Sequence, residues 1–300
     1  MHDLDLTTLR LFVATCTLRT IARAGEQQHI GASAISKRLA QLERTVNAPL
    51  FERGRRGVVP TAAGEILLEH ARAMLASADR VARDMAAYRH GIKGQVRVLA
   101  SMSSIAEQLP DDIAGFLADP AHAEIRVDLE EQVSSQIVRA VREGLAPLGI
   151  CWDAADTEGL QTRPYRRDRL VLVAHPQHPA AQRPRLAFAD SLVHEHVGLP
   201  ASTAVYSMLA RAAAIAGRPL HYRTVVSTFE ASLRCVRAGL GIAVVPREVV
   251  PLVASADGLR VVELTDPWAT RQFAICFRDA QGLSPSARLL LAHLQAKAAT

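Results

Sequence analysis

The chain has 300 residues, 49% of them hydrophobic, and carries 35 Lys and Arg against 30 Asp and Glu for a formal net charge of +5. Those figures suit a soluble globular chain of two or three folded units with sizeable cores. No basic N-terminus leads into an apolar run, and no stretch of about 18 uninterrupted apolar residues is present, so neither a secretion signal nor a membrane span is expected and the cytoplasm is the expected compartment. The charge is uneven: residues 1–60 hold nine Lys and Arg against five Asp and Glu, while residues 61–300 hold 26 against 25. A basic head on a near-neutral body points to nucleic acid as a partner.

Leu9, Phe12, Val13, Ile21, Ala24, Ile30, Ile35, Leu39, Leu42 and Val46 fall at three- and four-residue steps, broken at residues 17–20 and 30–31. Three short amphipathic helices are predicted. Thr20 is placed to cap the second, the small residues Ala22, Ala24 and Gly25 let it lie close to its neighbour, and Gly31 is expected to make the tight turn into the third. In a helix-turn-helix the last helix enters the major groove N-terminus first. Its outward side chains here are Ala32, Ser33, Ser36, Lys37 and Arg38. The serines can bond base edges or phosphates, the two cations can reach guanine acceptors or phosphates, and the Ala32 methyl can touch a thymine methyl.

Asn47 is placed to end the third helix in a left-handed turn, after which Pro49-Leu50-Phe51 begins an extended segment. Arg53, Arg55 and Arg56 then sit at the glycine-flanked tip of a two-stranded wing that returns through Val58-Val59. Such a tip suits phosphates or a narrow minor groove.

The spacing of Arg23-Ala24, Glu26-Gln27, His29-Ile30, Ala34-Ile35-Ser36, Leu42-Glu43, Pro49-Leu50-Phe51, Arg53 and Thr61-Ala62-Ala63-Gly64 resembles the N-terminal domain of LysR-type transcriptional regulators. More weakly, the resemblance extends over the whole chain. Two departures stand out: Gly31-Ala32-Ser33 replaces a frequent Ser-Gln-Pro, and Gln28 replaces an apolar residue. Without a glutamine at position 32 a bidentate reader of adenine is missing, so the operator of relatives does not transfer.

From Thr61 the chain reads helical to about Arg89, with Gly91 as a stop. Leu67, Met74, Val81 and Tyr88 recur every seventh residue, and Ala71, Ala78 and Met85 follow the first three by four. That alternation defines a coiled-coil seam for dimerisation, the alternative being an amphipathic helix packed on its own domain. A dimer would read a two-fold site with half-sites about one helical turn or more apart; the resemblance implies a dimer of dimers.

Beyond Gly94 strands alternate with helices, which predicts parallel sheet units. Strands are expected at 95–100, 124–130, 148–151, 169–174, 197–199, 222–226, 242–245 and 272–277, and helices at 110–117, 135–143, 203–216, 229–238 and 286–298. Crossovers near Arg163 and Trp268 give the plan of a two-lobed trap. The segments from Val226 to Pro246 and from Gly144 to Ile150 resemble the family's effector domain, with Pro147 where an aspartate is common. The expected architecture is α/β with an all-α-dominated N-terminal winged helix-turn-helix, a long linker helix and a two-lobed periplasmic-binding-protein-like effector domain. Its expected divisions are 1–60, 61–90 and 91–300, with lobe I at about 91–162 and 267–300 and lobe II at about 163–266.

Ligands of open α/β sheets bind beyond the carboxyl ends of strands. Those ends carry Ser101, Ser103 and Ser104, then Ser134 and Ser135, Ser202 and Thr203, and Ser227 and Thr228. Hydroxyls with helix N-termini suit a small carboxylate, although the same residues also serve as ordinary helix caps. The resemblance places the effector at Ser101, Ser103, Ser202 and Thr203, and Ser104 and Thr228 join them as candidates from the same strand ends. His194-x-His196 is a weak chelating pattern among His175, His178 and His221, and no metal or other cofactor is expected. Cys16, Cys151, Cys235 and Cys276 lack metal or disulfide spacing; a thiol redox sensor, which the family allows, would use Cys151 or Cys235. No hydrolase, phosphate-loop or zinc-protease motif occurs, so no catalytic residues are expected.

The reading is a regulator that binds double-stranded DNA, a small anionic effector and further copies of itself, with RNA polymerase as a further partner and no membrane. The alternative is a ligand-independent architectural DNA binder whose C-terminal body serves assembly.

Overall fold

The computed structural model describes residues 4–54, 57–89, 94–250 and 258–298. It divides into two compact units, one of Met1–Gly91 with a short later segment, and one holding most of the rest.

In the first unit, α1 (Leu6–Leu18), α2 (Ile21–Gln28) and α3 (Ala32–Val46) precede a hairpin of β1 (Phe51–Gly54) and β2 (Gly57–Pro60) and the long helix α4 (Ala62–Arg89). Asp5 caps α1 by accepting from the amides of Thr7 and Thr8 at 3.1 and 3.0 Å, and Thr20 caps α2 by accepting from that of Arg23. Each of the three helices stops on a left-handed residue that is not glycine: Arg19, His29 and Asn47, with φ of 57°, 53° and 52°. The turn between α2 and α3 therefore differs from the sequence expectation. His29 makes the left-handed step and Gly31 is extended, whereas Gly25 is the glycine required by sterics. A Cβ there would lie 2.6 Å from the Ile30 carbonyl oxygen. Ala24 is buried beside it, but Ala22 is exposed. Leu9, Phe12, Ile35, Leu39, Leu42, Leu50, Leu68 and Ala71 form the core.

The second unit is two-lobed. In lobe I the strands β3 (Gly94–Ala100), β4 (Ile125–Glu131) and β5 (Leu148–Trp152) run parallel in the order β4-β3-β5. Next to β5 lies the antiparallel β12 (Thr270–Phe277), and next to that β6 (Gln161–Ala174). One face carries α6 (Leu109–Leu117) and the C-terminal helix α11 (Pro285–Lys297) over Val98, Ile150, Phe273 and Ile275. The opposite face packs Leu99, Cys151 and Cys276 against α7 (Ser134–Arg142).

The strand predicted at 169–174 is the end of the 14-residue β6, which pairs with β12 up to Arg169 and then continues into lobe II. There, Leu170–Ala174 is flanked by the antiparallel β10 (Ala243–Pro246) and β11 (Arg260–Leu264), the latter followed by β7 (Arg185–Leu186). The parallel pair β8 (His196–Gly198) and β9 (Tyr222–Val225), with α9 (Ala204–Ile215) and α10 (Phe229–Arg237), completes the lobe. The expected parallel units are the β4-β3-β5 and β8-β9 groups, whereas β6 pairs antiparallel with β10, β11 and β12. From Leu170 to Ala174 β6 is fully buried and both of its edges are paired with antiparallel strands. Because β6 and β12 lie side by side, with Arg271 opposite Asp168, the two lobes are linked through a paired ribbon. In it Asp168 and Arg271 form a bidentate ion pair, both side chains being buried.

Candidate functional site

In the head, α3 is fastened through Glu43 and Arg38. Glu43 accepts from the amides of Leu50 and Phe51 at 2.8 and 3.3 Å, which ties the helix to the wing. Near the middle of the helix Arg38 donates to Asp5 at 2.9 Å and to the Thr8 hydroxyl at 3.1 Å. The carboxyl of Asp5 is held below its ordinary value, first by the Thr8 hydroxyl, with Arg38 adding to it. Arg38 thus links α3 to the start of α1 while its side chain stays 49% exposed.

Ala32, Ser33 and Lys37 are exposed and Ser36 is half-buried. No side chain caps the first turn of α3, because Gly31 occupies the cap position. That end of the helix dipole is thus left for an anion from outside. The wing begins as predicted, with Arg53 opposite Val58. Its placement is fixed by Gly57, whose φ of +118° and close approach to the Arg19 carbonyl admit no Cβ. The side chain of Arg53, and Arg55 and Arg56 altogether, lie outside the described residues.

The predicted seam on α4 splits in two. Ala71 is fully buried, and Leu67 and Met74 pack partly, against the head's own core, so α1 takes up this part of the apolar stripe. Arg10 on α1 reaches Asp79 at 3.3 Å. Farther along, Ala78 is half-buried, while Val81 and Met85 are 60% and 56% exposed among the described residues. The side chain of Tyr88 and the expected stop at Gly91 lie outside the described residues.

At the end of β3, Ser101 caps α5 (Met102–Ala106), and its hydroxyl lies 3.0 Å from that of Ser104. Ser104 is fully buried and donates to the Ser101 carbonyl at 2.8 Å, so its proton is spent within the turn. Ser103 is also nearly covered. Thr203 caps α9, donating to the Pro200 carbonyl at 2.8 Å and accepting from the Tyr206 amide, and Thr228 caps α10. Ser202 is exposed beside Thr203. Ser134, at the end of β4, keeps a buried hydroxyl oxygen with no partner among the described residues.

A cavity of about 450 Å³ opens at the ribbon that links the lobes. Trp152 and Asp153 from the end of β5, Arg167 from β6, Pro267 and Trp268 before β12, and Thr270, Arg271 and Gln272 line it. Sequence reasoning missed these residues. The signal available was composition: the chain has two tryptophans, and both are here. None of the six serines and threonines chosen for the effector lines this cavity.

Nearby, Glu107 has a buried Oε1 without a partner among the described residues. Burial, then the charges of Asp168 and Glu248, push its carboxyl up to about 8 against the opposing pull of Arg271.

The histidines do not form the suspected chelate. His196 points into the core, its Nε2 3.2 Å from the Ser191 carbonyl and its imidazole pushed down to about 4 by burial, whereas His194 packs its ring 4.6 Å from that of His178. Among the described residues no three metal-ligating side chains come together. Cys151 is fully buried; its thiol is pushed up by the neighbouring Cys276 thiol and by burial, which disfavours a reactive thiolate.

A winged helix-turn-helix head followed by a two-lobed α/β ligand domain is the organisation of a DNA-binding transcriptional regulator with a sensory domain. Residues 6–65 match the bacterial regulatory helix-turn-helix protein, lysR family, and residues 89–299 match the LysR substrate binding domain. The chain therefore belongs to the LysR family of transcriptional regulators. It is similar to the probable hydrogen peroxide-inducible genes activator of Mycobacterium avium, with 27% identity over 94% of this chain and 90% of that one. Full-length CbnR, in a crystal structure complexed with its target DNA, shares the fold with a TM-score of 0.66 at 20% identity, over 98% of this chain and all of that one. The effector binding domain of QuiR in complex with shikimate superposes with a TM-score of 0.61 at 14% identity, covering 69% of this chain and 97% of that one. No helix among the described residues is long and apolar enough to cross a membrane.

Proposed function

We propose that α3 reads operator DNA through Ala32, Ser33, Ser36 and Lys37, with Arg53, Arg55 and Arg56 of the wing on the phosphates or minor groove and Arg38 holding the helix at its angle. One observation carries this: α3 is tied down by Glu43 and Arg38 while its uncapped first turn, Ser33 and Lys37 stay exposed. A rigid helix with its positive end and short polar side chains outward is what a major groove accepts. CbnR, of the same fold, is known bound to its target DNA.

The second unit binds a small anionic metabolite, and Ser101, Ser103, Ser202 and the unpartnered hydroxyl of Ser134, at the ends of β3, β8 and β4, are available to its polar groups. Thr203 and Thr228 shape the two helix N-termini there as caps. The shikimate held by the QuiR domain supports small-molecule occupancy of this fold. Ligand binding shifts the lobes about the β6–β12 ribbon and so the packing of protomers on DNA, which alters access for RNA polymerase. The oligomer is a dimer through Ala78, Val81, Met85 and Tyr88 of α4, extended to a dimer of dimers. The working divisions are head 1–60, linker 61–90 and effector domain 91–300, and the compartment is the cytoplasm.

The test of the reading head is the salt dependence of operator binding by Lys37→Ala. One lost phosphate contact reduces the slope of log affinity against log salt by about 0.9. An unchanged slope and affinity would move the recognition surface away from α3.

A further inference from the structure

We infer that the cavity at the linking ribbon holds the effector's ring, and that the effector is an aromatic compound with a single carboxylate. The inference rests on the effector-sensing reading above and adds the ligand's class. Both tryptophans of the chain line this one cavity. Trp152 ends β5 of lobe I and packs partly on the core of lobe II, while Trp268 is held edge-on by Phe188, ring centroids 5.4 Å apart. Large, rigid indole faces favour a flat ring over an aliphatic chain, and a cavity of about 450 Å³ has the size of a small-ligand site.

The charges set the rest of the ligand. Arg271 lines the cavity but is spent on Asp168 by a buried bidentate pair. Arg167 is different: its Nε donates to Gln272 Oε1 at 2.8 Å, and no carboxylate among the described residues pairs with it. Gln272 is itself locked, its amide nitrogen donating to the Tyr165 carbonyl at 2.7 Å. The guanidinium is thus held in one plane with its two outer nitrogens available, the geometry that grips a carboxylate with two parallel bonds. Asp153, fixed by its amide donating to the Gln272 carbonyl at 3.0 Å, adds an exposed negative charge to the lining. It disfavours a second carboxylate, so a monoacid fits and a diacid does not.

Because the two tryptophans share the site, the intrinsic emission of the unlabelled full chain reports on it. Benzoate, its neutral amide benzamide, the diacid terephthalate and the aliphatic acid succinate are titrated against that emission. Benzoate should give a saturable change with a dissociation constant of about 1 mM or tighter, as a single small ring allows, and benzamide, terephthalate and succinate should each be at least about tenfold weaker. Arg167→Gln should abolish the preference for benzoate over benzamide, and Trp268→Leu should weaken benzoate while leaving the salt slope of DNA binding as in the parent. No saturation by benzoate at about 10 mM, or a preference for benzoate that survives Arg167→Gln, overturns the inference. Footprints of the operator complex with the same four compounds separate the two layers of the argument. An aliphatic acid that alters the footprint when benzoate does not bind removes the aromatic class and leaves effector sensing intact. Benzoate that saturates the emission without altering any footprint keeps the site and removes its regulatory role.

Discussion

Replacing Glu107 by Gln removes one proton equilibrium and almost nothing else, since the amide has the shape of the protonated acid. Glu107 follows α5, and its Oε1 is buried without a partner among the described residues. The groups acting on it are the carboxylates of Asp168 and Glu248, with Arg271 as the one opposing cation. Its carboxyl ionises at about 8 in the folded chain, against an ordinary 4.5. Between those values the folded state keeps a proton that the unfolded state loses, so stability falls as pH rises through the window. The slope is about 1.4 kcal/mol per pH unit for one proton. From pH 5.5 to 8 that amounts to about 3 kcal/mol, and partial exposure of the side chain lowers it to about 2 kcal/mol. The glutamine variant lacks this loss, so at pH 8 it should be the more stable chain by about that amount, with the two chains close together at pH 5. Urea unfolding followed by tryptophan emission reads the correct unit, because Trp152, Trp268 and Glu107 all lie in it. Histidine titrations are common to both chains and cancel in the difference. A gap between variant and parent that stays constant within about 0.5 kcal/mol from pH 5 to 8 would refute the reasoning.

Arg271→Leu should destabilise the second unit by about 3–5 kcal/mol, because it leaves the Asp168 carboxylate buried and unpaired; a loss below about 1 kcal/mol in urea unfolding would mean that water reaches the ribbon. Gly25→Ala sets a methyl 2.6 Å from the Ile30 carbonyl, so operator binding should drop at least about tenfold at unchanged far-ultraviolet circular dichroism. Retained affinity would show that the turn between α2 and α3 yields freely. Val81→Asp puts a charge on the uncovered part of α4 and should shift sedimentation from dimer to monomer; an unchanged mass would locate association in the second unit.

The helical head was legible because each of its signals is local. A cap at Thr20, a stop at Asn47 and apolar steps at Ile35, Leu39 and Leu42 depend on neighbours within one or two turns. Where a choice depended on tertiary contact, local signals failed. Gly31 reads as the turn glycine in sequence, yet His29 takes the left-handed step, and it is at Gly25 that the Ile30 carbonyl leaves no room for a Cβ. The heptad on α4 is real as a pattern, but its first half is consumed by α1, a partner the periodicity cannot name. In the second unit the strands and helices of lobe I followed from alternation, whereas β6 was seen only in part because its first half, Gln161–Arg169, carries four arginines and reads as surface. Serines at strand ends were legible as caps or contacts alike. What separates them is where each proton goes: Ser104 spends its own within the turn, and Ser134 does not. The cavity at the ribbon draws its lining from residues 152–153, 167, 267–268 and 270–272, which the pairing of β12 with β5 and β6 brings together.

The most direct test of the account is genome-wide binding of the purified full chain to fragmented DNA of its own organism, read by sequencing. A few sharp peaks, each with a two-fold symmetric site that footprinting assigns to α3 and the wing, is the result the account predicts. Uniform binding along the genome, or none, would contradict a sequence-reading regulator built on Ser33, Ser36 and Lys37.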